Sequence, residues 1–180
     1  MKKIIAVALF TLFAAPAFAE STGFYGALDV NTWTLSNKGT GVENPSAGIR
    51  VAGGYHFTPN WGAEIGYTES GNGTTSIPAD YKITSAQMAV TGTYPVNEQF
   101  DLFAKLGYAA NKMTGAATAG CPDCSKNDFL YGFGAQFNFN KQFGVRLQYE
   151  DIGKVADSIM AGQTDQPKAA NISLGVVYNF

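Results

Sequence analysis

The sequence predicts an all-β fold, an eight-stranded antiparallel up-and-down transmembrane β-barrel, and three observations carry that prediction. Apolar residues alternate with small or polar ones through most of the chain, the period-two signature of strands with a different environment on each face. The connections between these segments are short and long in turn, as in barrels that cross a membrane. The composition fits neither ordinary class. Only 14% of the 180 residues are charged, where about a quarter is usual in a soluble domain, yet the mean hydropathy of −0.05 is far too low for membrane-spanning helices. Glycine (21 residues) and aromatics (13%) are both high, as in closed antiparallel β structures. A net charge of −2 argues against nucleic-acid binding, which needs a basic face. One domain is the default at this length.

Residues 1–19 read as a secretory signal peptide rather than as part of that domain. Lys2 and Lys3 form a positive start, residues 4–15 an apolar run, and Ala17-Phe18-Ala19 a small-residue cleavage site. The run is shorter than the roughly 18 residues that a spanning helix needs. The barrel domain is therefore expected over 20–180, in an exported chain.

The strands follow in order. Segments near 23–35, 46–58 and 81–95 alternate weakly. Between them, Ala63, Ile65 and Tyr67 share one face, with Gly62, Glu64, Gly66 and Thr68 on the other. In 100–108, Phe100, Leu102, Ala104, Leu106 and Tyr108 oppose Asp101, Lys105 and Gly107. Phe129, Tyr131, Phe133, Phe137 and Phe139 alternate with Gly132, Gly134, Gln136 and Asn138. Phe143, Val145, Leu147 and Tyr149 alternate with Gly144, Arg146, Gln148 and Glu150, and Ile172, Leu174, Val176, Tyr178 and Phe180 close the chain. Tight turns are expected at 58–60, 96–99 and 140–142, and long Gly-, Ser-, Thr-, Asn- and Ala-rich loops near 36–45, 72–80, 114–126 and 156–169. Strands of about ten residues suffice to span.

Alternation alone does not say which face is inside, since a soluble lipocalin-like barrel would place the apolar face inward. Three features point to the inverted, membrane arrangement. The polar face holds about one charge per strand, too few for a water-exposed surface. Aromatics gather beside the short turns at Phe57, Trp61, Tyr94, Phe100, Phe139, Phe143, Tyr178 and Phe180, one level of an interfacial girdle. Tyr67, Tyr108, Phe129, Tyr131 and Tyr149 supply a second level near the long loops. The third feature is the signal peptide.

The chain resembles the OmpA-type transmembrane domain in the runs 50–67 (RVAGGYHFTPNWGAEIGY), Tyr94-Pro95, 101–107, 145–149 and 172–180. The resemblance spans nearly all of 20–180. It implies a Gram-negative outer-membrane location, contact with outer-membrane lipid and lipopolysaccharide, and a C-terminal assembly signal at Tyr178 and Phe180 read by the barrel assembly machinery. Longer family members add a periplasmic peptidoglycan-binding domain, and with the chain ending at its last strand that anchoring role is expected to be absent. A monomer is expected.

With the aromatic face toward lipid, the inward charges are Asp29, Arg50, Glu64, Lys105, Arg146 and Glu150, three acids and three bases. An eight-stranded barrel has an interior just wide enough for side chains to fill, and charges confined there must pair. In the family, acidic and basic lumen residues pair across the barrel, and Glu64, Lys105 and Arg146 occupy matching positions. A further charged pair of the family is replaced by Thr91 and Gln136. The reading favours a permanent polar plug over a gated small pore.

Candidate chemistry is sparse. The single histidine, His56, stands beside a short turn, no Ser-His-Asp grouping lies near the long loops, and one histidine with scattered carboxylates is weak evidence for a metal. No catalytic residue, metal or cofactor is expected. Cys121-Pro122-Asp123-Cys124 admits a local disulfide, a redox pair or half a zinc site. An exported chain favours the disulfide, closing a small loop with modest stabilisation. The functional expectation is an integral outer-membrane structural protein or surface antigen whose long loops mediate adhesion to host or surface ligands. The alternatives are a narrow low-conductance pore or a lipid-modifying barrel enzyme.

Overall fold

Strands that alternate over ten or more residues cannot leave backbone polar groups open in hydrocarbon, so they must close on one another. The computed structural model describes residues 22–37, 41–42, 46–71, 73–74, 80–115, 123–155 and 168–180. Eight long strands make the barrel: β1 (Gly23–Asn37), β2 (Ser46–Thr58), β3 (Trp61–Ser70), β4 (Asp80–Pro95), β5 (Phe100–Gly115), β6 (Asp123–Asn138), β7 (Phe143–Lys154) and β8 (Lys168–Asn179). Each pairs antiparallel with its sequence neighbours, and β8 closes on β1 with a ladder from Tyr25↔Asn179 to Ser36↔Lys168. The sheet therefore closes on itself around the barrel, and only at the loop end does the β6–β7 ladder stop short, at Tyr131↔Asp151. Two-residue ribbons, Gly41–Val42 and Gly73–Thr74, extend β1 and β4 at the loop end.

The three short turns reuse one device, a side-chain oxygen that satisfies turn amides. Asn97 Oδ1 accepts from Gln99 N and Phe100 N, both at 2.9 Å. Asn140 Oδ1 accepts from Gln142 N at 2.9 Å and Phe143 N at 2.8 Å. Thr58 Oγ1 accepts from Trp61 N at 3.0 Å.

The strands run longer than a bilayer crossing requires. β4, β5 and β6 have 16 residues each, against the about ten expected. The connection expected over 114–126 is correspondingly shorter: β5 runs to Gly115, β6 begins at Asp123, and Cys124 stands opposite Met113 in the ladder. Paired backbone continues past the apolar band because the ladder, once in register, satisfies every amide it reaches.

The faces are inverted relative to a soluble barrel. Leu28, Val30, Ile65, Met88, Leu106, Phe133, Leu174 and Val176 are exposed, while Asp29, Arg50, Glu64, Lys105, Asn111, Arg146, Gln148 and Glu150 of the other face are buried. Phe57, Trp61, Tyr94, Phe139 and Phe143 are exposed at the turn end, Phe100 beside them is half-buried, and Phe139 is the first residue beyond β6. Tyr67, Tyr108, Phe129 and Tyr131 are exposed toward the loop end. The outward ion pair Glu69–Lys82, at 2.7 Å, marks where the apolar band stops.

Leu174→Arg, in the middle of the outward face, is expected to cost about 2–4 kcal/mol in urea unfolding from phospholipid vesicles. Ser173→Ala, one residue away in the lumen with an unpartnered hydroxyl, is expected to cost less than about 1 kcal/mol. Equal losses at the two positions would contradict this assignment of faces.

Candidate functional site

The barrel wall aims alternate side chains of each strand at its axis, so the lumen is assembled from residues far apart in sequence. Asp29 comes from β1, Arg50 from β2, Glu64 from β3, Lys105 from β5, and Arg146 and Glu150 from β7. All six are between 0% and 4% exposed, and they form one connected cluster. Arg146 grips Asp29 with two parallel bonds, Nε to Oδ1 and Nη2 to Oδ2, each 3.0 Å, the fork geometry that makes Arg–carboxylate pairs strong. Its Nη1 reaches Glu64 Oε2 at 2.8 Å. Arg50 binds Asp29 Oδ2 at 2.8 Å, Glu64 Oε1 at 2.5 Å and Glu150 Oε1 at 3.5 Å. Lys105 Nζ binds Glu64 Oε1 at 3.1 Å and also pairs with Glu150. Glu64 thus meets all three cations.

Neutral donors and acceptors complete the cluster. Tyr25 donates its hydroxyl proton to Glu64 Oε2 at 3.0 Å, Lys105 donates to Gln148 Oε1 at 2.9 Å, and Arg50 Nε lies 3.4 Å from Gln87 Oε1. Glycines give the charges room. A methyl group at Gly175 would collide with the Asp29 carboxylate, and one at Gly132 would crowd Lys105 Cε and Glu150 Cγ, each at 3.2 Å. The sparse charge and abundant glycine of the inward face have this one physical cause.

Toward the turn end lies a cavity of about 490 Å3, lined among others by Tyr25, His56, Thr91, Asp101, Gln136 and Asn138, with Glu64 and Arg146 at its floor. Thr91 and Gln136 face this space, and Gln136 Nε2 donates to Asn138 Oδ1 at 2.8 Å. Asp101, which the sequence analysis placed on the polar face but not among the lumen charges, accepts from Asn138 Nδ2 at 2.6 Å. Its parity with Lys105 is the signal that would have found it. The His56 ring stacks on Tyr25, with centroids 4.7 Å apart. Among the described residues, no three His, Cys, Asp or Glu side chains are grouped as metal ligands.

Toward the loop end the lumen turns apolar, which the sequence analysis did not foresee. Trp33, Ile83, Ala109, Met113, Leu130, Ile152, Val155 and Ala169 pack into one buried cluster drawn from β1, β4, β5, β6, β8 and the end of β7. At the other sites, Tyr178 packs edge-on against Phe143 and Phe180, each at 4.9 Å, and Phe180 N donates to Phe24 O at 2.9 Å. Cys121 lies outside the described residues, as do residues 1–21. Cys124 is placed only by its position at the start of β6.

The family model described as "Outer membrane protein beta-barrel domain" matches residues 5–180. The chain is 27% identical over 171 residues to outer membrane protein A of Klebsiella pneumoniae, covering 89% of this chain and 47% of that protein. It is 26% identical over 189 residues to outer membrane protein A of Shigella flexneri, covering 98% and 53%. The chain thus spans about half the length of these curated relatives. Among solved structures it is similar to Neisserial surface protein A, with TM-score 0.68 and 18% identity over 88% of this chain and 98% of that one. It is similar also to Ail, the attachment invasion locus protein of Yersinia pestis, in complex with the heparin analogue sucrose octasulfate, with TM-score 0.63 and 20% identity over 89% and 100%. At these identities the structures speak for the fold.

Arg146→Leu, by depriving Asp29 and Glu64 of a partner each, is expected to lower the unfolding free energy in detergent by about 3–5 kcal/mol. Adding Asp29→Leu should recover part of the loss, with a coupling of at least about 1 kcal/mol in the double-mutant cycle. Additive losses would show that the two side chains act independently.

Proposed function

The chain belongs to the family of outer membrane protein β-barrel domains, integral to the Gram-negative outer membrane, and from that premise we propose that it is a structural surface barrel whose long loops make adhesive contacts. The observation that carries this reading is the interior. Six buried charges in mutual contact tie the strands to one another across the lumen, so that in this reading the barrel acts as a rigid mount. What it mounts are the connections between β1 and β2, β3 and β4, β5 and β6, and β7 and β8. Loops on a rigid scaffold are the usual seat of recognition. That an attachment protein of the same fold has been seen with a heparin analogue supports sulfated surface glycans as one ligand class to try.

Residues 1–19 serve as a cleaved export signal in this reading, and Tyr178 and Phe180 as the determinant for barrel insertion. No catalytic role is assigned: His56 stands at the turn end, packed on Tyr25. A second reading, a narrow pore, draws on the cavity at the turn end, which reaches as far as Glu64 and Arg146.

Expressed in a Gram-negative host, the protein is expected to fractionate with the outer membrane, shift its gel mobility on boiling and begin at Glu20. Replacing 116–122 and 156–167 with Gly-Ser segments of equal length should preserve all three and abolish adherence of the cells to immobilised heparin. Adherence that survives the replacement would overturn the adhesive role. Stable open-pore currents from the wild-type protein in planar bilayers would overturn the structural reading in favour of the pore.

A further inference from the structure

The lumen is not uniform along its axis, and its loop end is built in a way that the ion-pair cluster does not explain. The ladder between β6 and β7 ends at Tyr131↔Asp151, although both strands continue. The β7–β8 ladder shifts register between Lys168 and Ala170. Freed on one side and bulged on the other, the end of β7 turns into the barrel mouth. Ile152 and Val155 become fully buried in contact with the apolar cluster of Trp33, Ile83, Met113 and Leu130.

That inward turn is fastened at several points. Gly153 has φ +70°, a left-handed conformation that glycine adopts without strain. A side chain there would also strike the Asp128 carboxylate at 2.7 Å. Gly153 N donates to Asp151 Oδ1 and Lys154 N to Asp128 Oδ2, both at 2.8 Å. From across the lumen, Asn111 Nδ2 donates to Ile152 O at 2.9 Å and Lys154 O at 3.1 Å, while Ser85 Oγ donates to Asn111 Oδ1 at 2.7 Å. The two carbonyls that the turned chain removes from the ladder are thereby satisfied inside the barrel. An accidental fray would leave them bare.

We propose that this apolar layer, completed by the inward-turned end of β7 and latched by Asn111, is the seal of the lumen. In this assignment the ion-pair cluster below it is a strut, and the cavity at the turn end is a blind vestibule wetted from that side only. A layer of Trp, Ile, Leu, Met and Val side chains across a lumen this narrow excludes water and hydrated ions alike, since hydrophobic constrictions close by dewetting. The charged cluster lacks that property: Glu64 meets three cations and Asp29 two, so its pairs can exchange partners, and polar groups that part do not repel water as apolar ones do. Asn111 is a positioning residue, acting through the backbone carbonyls of Ile152 and Lys154.

The proposal rests on the reading of the barrel as closed, and planar-bilayer conductance of refolded protein, with folding verified by the mobility shift on boiling, separates the two. Wild type should be silent; an open wild-type pore would defeat the closed-barrel reading itself. The double variant Ile152→Ser/Val155→Ser is expected to give sustained open-pore currents where wild type gives none. Asn111→Ala, which leaves the apolar side chains intact, should produce intermittent openings and supplies the test should the double variant not fold. Glu64→Gln, which disturbs the charged cluster beneath an intact layer, should conduct far less than either. Silence in folded Ile152→Ser/Val155→Ser or Asn111→Ala, or Glu64→Gln conducting as well as they do, would overturn the assignment while leaving the closed-barrel reading in place.

Discussion

Eight strands enclose a lumen narrow enough for side chains to fill, and every charge buried in it must find its counter-charge there. The rest of the molecule follows from that constraint. Three carboxylates and three cations meet so that Glu64 touches Arg50, Lys105 and Arg146, and Asp29 is held by both arginines. A cluster of this kind is costly to break rather than strongly stabilising to have, because removing one member strands another in low dielectric. It enforces register. Asp29 and Arg146 are 117 positions apart and meet only when β8 closes on β1 in one alignment, so a slip of one residue would turn every charge toward lipid.

The outer face obeys the complementary rule. Aliphatic and aromatic side chains that a soluble protein would bury are exposed, on strands whose backbones pair in antiparallel ladders around the barrel. What distinguishes the two ends of the barrel is the lumen. The turn end is polar and open around His56, Asp101 and Gln136, the middle is ionic, and the loop end is apolar. At the apolar end the extended β5 and β6 walls surround Met113, Leu130 and the turned-in tip of β7.

Much of this was legible in the alternation. The parity of Glu64 with Gly62 and Thr68, or of Lys105 with Asp101, assigns each residue to a face without any coordinates, and the six lumen charges follow from it. What parity cannot give is partnership, because the meeting of β1 with β7 across the lumen depends on closure. The apolar layer was missed for two physical reasons. Trp33, Ile83, Met113 and Leu130 share parity with lumen residues and three of them lie in segments that read as strands, but a large apolar side chain on the polar parity gives no sign that it meets others of its kind across the lumen. Val155 has no useful parity, because the bulge and the left-handed Gly153 break the alternation just before it. Tyr25 was obscured differently: an aromatic ring suggests lipid, and only its hydroxyl, reaching Glu64, assigns it to the interior.

Arginine side-chain NMR of the micelle-embedded protein tests the central claim most directly. If the lumen charges form the buried, mutually paired cluster described, the guanidinium protons of Arg50 and Arg146 give separate signals that exchange slowly with water. In that case the Arg146 Nε proton also shows coupling to the Asp29 carboxylate. Guanidinium signals that coincide with those of a free, solvated arginine and exchange as fast would contradict it.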